Sequence, residues 1–199
     1  MNPLAALRGR LLARTDSEHE GAILRIVLVG LITAYMWGRV SASSGPIRET
    51  DSILLLGLAG FFILAIAIFA AICIWPASNI PRRVVGMLAD AGAVTFALFL
   101  AGDHGVWLIG VFLFISFGNG FRYGRSYLFL CQTLCLIGFV PVVMTAPWWR
   151  DEPYVGWGLL VSLIILPLYV STLLKRIQDA HAKTEQALKD CLERDGRTV

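Results

Sequence analysis

The sequence predicts an all-α protein, a polytopic transmembrane helical bundle of five or six spans. Three observations predict it. Of 199 residues 57% are hydrophobic and only 16% charged, too apolar a balance for a soluble domain of this length. The stretch Ile53–Trp75, ILLLGLAGFFILAIAIFAAICIW, holds no charge and no proline, and only Gly57 and Gly60 are weak helix formers. As a helix it reaches about 34 Å, enough to cross a hydrocarbon core of roughly 30 Å, with no polar face left for water. The rest of the chain repeats that pattern.

Residues 1–21 precede the spans as an amphipathic, polar segment. Leu4, Leu7, Leu11 and Leu12 recur near helical spacing with Arg8, Arg10 and Arg14 between them, as in a short helix lying on a membrane surface. Thr15, Asp16 and Ser17 are capping residues, and Glu18 and Glu20 suit the first turn of a following helix. The first span is Ala22–Val40, with Arg25 and Arg39 close to its ends, where long side chains snorkel. Val40-Ser41-Ala42 resembles a cleavage site, but the polar leader is long for a signal peptide, so the segment is expected to stay.

Ser41–Asp51 is a loop by its Ser, Gly and Pro content. After Ile53–Trp75 and the turn PASNIPRR comes Val84–Ala101, interrupted by Asp90. Gly102-Asp103-His104-Gly105 is a tight turn, and Val106–Phe121 is a shorter, aromatic-rich span. Tyr127–Trp149 is the fifth span, with Gln132 inside it and Pro141 placed to kink it. Tyr154–Leu174 is the sixth. The membrane domain is thus residues 22–174, and residues 175–199 are a polar tail in which Ile177, Leu188 and Leu192 mark a helix continuing out of the membrane.

Basic residues set the orientation. With six spans, thirteen Lys and Arg fall on one side and three on the other, Arg25 aside, which puts both termini in the cytoplasm. Trp37, Trp107, Trp148, Trp149 and Trp157 then gather at the opposite interface as an aromatic belt. The short fourth span is the weak point, since without it the count is five and the N-terminus moves outside.

The same residues exclude several function classes. The basic residues lie in tails and alternate loops, which is topology rather than a nucleic-acid footprint. Cys131 and Cys135 share a helix face but sit in an apolar run, where free cysteine packs as a small hydrophobe. His19, His104 and His181 fall outside the apolar spans, so no cofactor is expected and a haem has no facing ligands. Nothing forms a Ser/His/Asp or paired-carboxylate constellation, so an enzyme is not expected.

Asp16-Ser17-Glu18-His19 followed by Leu24-Arg25-Ile26 resembles the start of the RpfC-type sensor kinases of xanthomonads. The resemblance continues through Gly86-Met87-Leu88 and Asp90. It is strongest at Gly118-Asn119-Gly120-Phe121-Arg122-Tyr123-Gly124, Pro153-Tyr154, Trp157-Gly158-Leu159-Leu160 and Leu166-Pro167-Leu168-Tyr169. It covers most of residues 10–180, the membrane input domain alone. His181 sits in Asp-Ala-His-Ala-Lys, without the Ser-His-Glu phosphoacceptor motif of those kinases.

The resemblance therefore implies a stand-alone relative of the input domain. It implies a non-catalytic, multi-pass protein of the inner membrane acting in quorum sensing by the diffusible signal factor, a cis-2-unsaturated fatty acid. Such a protein would bind the signal or modulate the related kinase in a two-component system, as a homodimer or a heteromer with that kinase. Small residues such as Gly57, Gly60, Ala65, Ala67, Ala70 and Ala71 offer close helix contacts for such pairing. A transporter or exporter of a lipid-like signal, or a ligand-free scaffold, is the alternative. A transporter favours inverted repeats, and none is present.

The expected ligand-binding residues are Asp16, Ser17, Glu18 and His19, because the resemblance places signal binding in the segment before the first span. On the residues alone these four are a helix N-terminus. Asp90 lies well inside its span, where a carboxylate needs a partner, and Arg25 is the expected one. Asn119, Arg122 and Arg125 form a glycine-rich, basic stretch expected to anchor a turn or couple two spans. No metal site is expected.

Overall fold

The computed structural model describes residues 18–42, 48–75 and 79–195, and among these every regular element is helical. In chain order the elements are α1 (Glu18–Ala42), α2 (Glu49–Ile74), α3 (Ile80–Ala101), a 3-10 turn (Gly102–Leu108), α4 (Ile109–Tyr123), α5 (Arg125–Thr145), the short α6 (Pro147–Asp151) and α7 (Pro153–Asp195). Residues 1–17, with the surface helix expected there, lie outside the described residues.

Five helical runs are long and apolar enough to cross a membrane, and the third of them is Ile80–Tyr123, 44 residues in all. Straight, that run would be about 66 Å long. It is not straight. The Arg83 guanidinium lies 4.6 Å from the centre of the Tyr123 ring, so the run folds back on itself and α4 returns antiparallel to α3. The 3-10 turn lengthens the return leg, so the short fourth segment covers the same height as α3. Among the described residues the bundle is therefore traversed six times, the third run supplying two of the passes. Glu18 meets Arg82 and Arg83, and Gly124 lies against Gln178 of α7, so the first helix begins and the last one leaves at the same end.

Local chemistry sets the breaks. Asn79 caps α3 with Pro81 in its first turn, the position where a missing N–H costs nothing. Gly102 at φ 56° begins the turn between α3 and α4. The link from α4 to α5 is Gly124 alone, at φ 94° and ψ 177°, a region essentially confined to glycine. The basic stretch 119–125 is thus mostly the last turn of α4 rather than a loop. Pro141 and Pro167 lie inside continuous helices.

α5 is central, packed against α3, α4 and α7, while α1 packs on α2 and α2 on α3. The densest core holds Leu98, Leu108, Phe112, Phe139, Trp149 and Leu163, each fully buried. Trp149 corrects one expectation. It is 0% exposed and turned into the bundle, its Nε1 donating to the Leu98 carbonyl at 3.1 Å, so it anchors the core and is not part of a belt. Trp37, Trp107 and Trp157 do face outward.

Glycines let the helices close up. Gly57 receives the Phe96 ring, and a Cβ on Gly138 would collide with Thr95 Oγ1. Gly57 and buried Ala65 are therefore used inside the chain, leaving Gly60, Ala67 and Ala70 of that small-residue set exposed. Gly138→Ala should lower stability by about 1–3 kcal/mol through overpacking. Gly92→Ala, with nothing within 4 Å, should be harmless. Unfolding midpoints in mixed micelles compare the two, and equal midpoints would contradict the α3–α5 contact.

Candidate functional site: a charged cleft between α1, α3 and α4

α1 does not close backbone to backbone on α3 or α4. The gap is a narrow cleft with a cavity volume of about 70 Å³, partly open to the exterior. Its walls along most of its length are apolar, with Leu28, Val29 and Ile32 of α1 facing Val94 and Ala97 of α3 and Val111 of α4. Its polar groups are gathered at the end where α1 begins: Glu18, Arg25, Arg82, Arg83, Asp90, Asn119 and Arg122.

Glu18 is 4% exposed and grips α3. Its two carboxylate oxygens accept from Arg82 and Arg83, and the Asn79 backbone N–H lies 3.4 Å from Oε1. Arg82 also donates to the Trp75 carbonyl at 2.8 Å, which ties the end of α2 to the start of α3. Arg83 stacks on Tyr123 as well, a cation–π contact that adds an attraction to α4.

Arg25 and Asp90 are brought together. The guanidinium engages both carboxylate oxygens, with Nη2 donating to Oδ2 at 2.8 Å, and both side chains are about 15% exposed or less. Two parallel charge-assisted bonds fix geometry as well as charge. Gly86 makes room for them, since a Cβ there would stand 2.7 Å from Arg25 Nη2. Arg122 faces Asp90 electrostatically but forms no ion pair within 4 Å among the described residues.

Among the described residues the cleft holds four guanidinium groups and two carboxylates beside apolar walls. Among the described residues Arg122 has no carboxylate within 4 Å, and a guanidinium so placed beside apolar walls suits an anion with an apolar body. Asn119 lines the same end, its Nδ2 donating to the Ile115 carbonyl at 2.8 Å.

The remaining expected site residues scatter. Asp16 and Ser17 lie outside the described residues. His19 is half-buried outside the cleft lining, with Nδ1 enclosed and without a hydrogen-bond partner among the described residues. Arg125 stacks on Phe129, 5.3 Å from its ring centre, and does not line the cleft. Arg82, Arg83 and Tyr123 were not expected as site residues. The Pro-Arg-Arg start of α3 was their one signal, and as sequence it is indistinguishable from topology charges. Among the described residues no cluster of metal-ligating side chains is present.

The six traverses and the enclosed charges define a multi-pass helical membrane protein with an amphipathic chamber. Its sequence is similar to that of the sensory/regulatory protein RpfC of Xanthomonas campestris pv. campestris, 31% identical over 186 residues with the same figures in two strains. The match covers 94% of this chain and 25% of the relative, in its N-terminal region, so the chain spans about a quarter of the length of the curated relatives it matches. It is a relative of the RpfC input region. No family model matches the chain, and no solved structure does.

Proposed function

We propose that this protein is a non-catalytic sensor-like or regulatory component of a two-component pathway in the inner membrane, taking a fatty acid anion of the cis-2-unsaturated, diffusible-signal type into the α1/α3/α4 cleft. The observation that carries the proposal is Arg122, which among the described residues has no carboxylate within 4 Å, at one end of an otherwise apolar cleft. A carboxylate head group pairs with that guanidinium, and the apolar walls take the chain. Similarity to a protein named sensory/regulatory supports the signalling role. Arg122 is the head-group contact. Glu18 is a positioning residue, because its carboxylate is already taken up by Arg82 and Arg83. The arginine-rich end faces the cytoplasm by the charge rule. Occupancy then biases the related sensor kinase through helix contact.

The test is a titration in lipid nanodiscs of a cis-2-unsaturated fatty acid against its saturated counterpart. Saturable, selective binding is expected, weakened about tenfold by Arg122→Gln, a loss of one charge-assisted contact. Equal, non-saturable partitioning of both acids would overturn the ligand assignment and favour a role through protein contact alone.

A further inference from the structure

A second, shallower groove lies on the outer surface of α1, lined by Leu28, Leu31, Ile32, Tyr35 and Trp107. Leu28 and Ile32 also line the main cleft, so one thin wall of two aliphatic side chains separates the two spaces. Across the groove Tyr35 of α1 and Trp107 of the 3-10 turn meet edge to face, with ring centres 5.4 Å apart and planes at 81°. Leu31, Tyr35 and Trp107 are 63%, 50% and 44% exposed, on a surface that in a bilayer faces lipid. The groove holds no charged side chain.

We propose that this groove is a lateral portal between the cleft and the bilayer, occupied by the tail of the same fatty acid whose head group sits at the arginines. This rests on the fatty acid assignment above and adds where the tail goes. Arg25 and Tyr35 are about 15 Å apart along α1 at ~1.5 Å per residue. An extended acyl chain held by its carboxylate at Arg122 runs beside Leu28 and Ile32 and ends under the Tyr35–Trp107 pair. A charged head cannot cross the apolar groove cheaply, whereas a tail can, so the head enters at the arginine end of the cleft and the tail alone passes toward the bilayer through the groove. Leu28, Ile32, Tyr35 and Trp107 are then the residues that select the tail, and only single-chain amphiphiles fit a wall this thin.

The test uses two photoreactive probes in nanodiscs of phosphatidylethanolamine and phosphatidylglycerol. Both are medium-chain cis-2-unsaturated fatty acids, one with a diazirine at the terminal carbon and one with it beside the carboxyl group. Labelled positions are mapped by mass spectrometry with and without excess unlabelled acid. The carboxyl-end probe should label the Arg25–Arg122 end, and the tail probe Leu31, Tyr35 or Trp107, both competed away. Leu28→Trp, which thickens the shared wall, should cut the tail labelling about tenfold while the unfolding midpoint is retained. Competed labelling at the arginines with the tail probe on α2, near Ile68 and Ile72, would overturn the portal and leave the fatty acid site standing. No competed labelling by either probe would overturn both.

Discussion

Asp90→Asn is expected to destabilise the bundle by about 3–5 kcal/mol, because it leaves the Arg25 guanidinium enclosed without its carboxylate. The pair is bidentate, more than 80% buried on both sides, and with the Glu18 pairs joins two helices that do not close backbone to backbone. Replacing both partners, Arg25→Gln with Asp90→Asn, removes the stranded charge and should recover most of the loss. Unfolding in mixed micelles of the wild type, both single variants and the double variant gives the coupling directly. A double variant no more stable than Asp90→Asn would show that the damage is to packing and not to charge pairing. The same set measured for ligand binding should show Arg25→Gln weakening it, since that variant removes a guanidinium from the head-group end.

Trp149→Ala should cost about 3–5 kcal/mol, the range for emptying a large buried aromatic site. Trp149 touches Phe139 at 5.2 Å and Trp148 at 4.9 Å between ring centres, both edge to face, and caps the Leu98 carbonyl near the end of α3. Trp149→Phe keeps a ring and loses the hydrogen bond, so about 1–3 kcal/mol is expected from the stranded carbonyl. The ordering Ala worse than Phe, read from unfolding midpoints, is the result to look for. Two variants of equal midpoint would mean that the hydrogen bond carries the whole effect.

The apolar architecture was open to sequence reasoning where a helix is apolar all round. Ile53–Trp75 is such a case, and it lies almost wholly within α2. Segment number was harder, because Val106–Phe121 is too short alone. What makes the return leg long enough is the 3-10 turn, which depends on how Gly102 lets the chain reverse. Trp149 was misassigned for a plain reason: a tryptophan at a span end has the same sequence context whether it faces headgroups or the core.

At the site, two opposite charges placed inside apolar runs must find partners, and there were few choices, so Arg25 with Asp90 was legible. Glu18 was not. Its neighbours in sequence argue for a helix N-terminus, while its partners Arg82 and Arg83 are more than sixty positions away. The cleft itself has no linear signature, because it exists where α1 fails to close on α3 and α4.

The Arg25–Asp90 pair also has a consequence for biogenesis. The two residues belong to different hairpins, α1–α2 and α3–α4, and the ribosome delivers the first before the second. During that interval Arg25 has no carboxylate. It sits about two turns from the start of α1, close enough for its side chain to reach the interface while it waits. Snorkelling is thus what allows α1 to enter the bilayer before its partner is made. A chain lacking Asp90 is therefore expected to fail at helix assembly rather than at insertion.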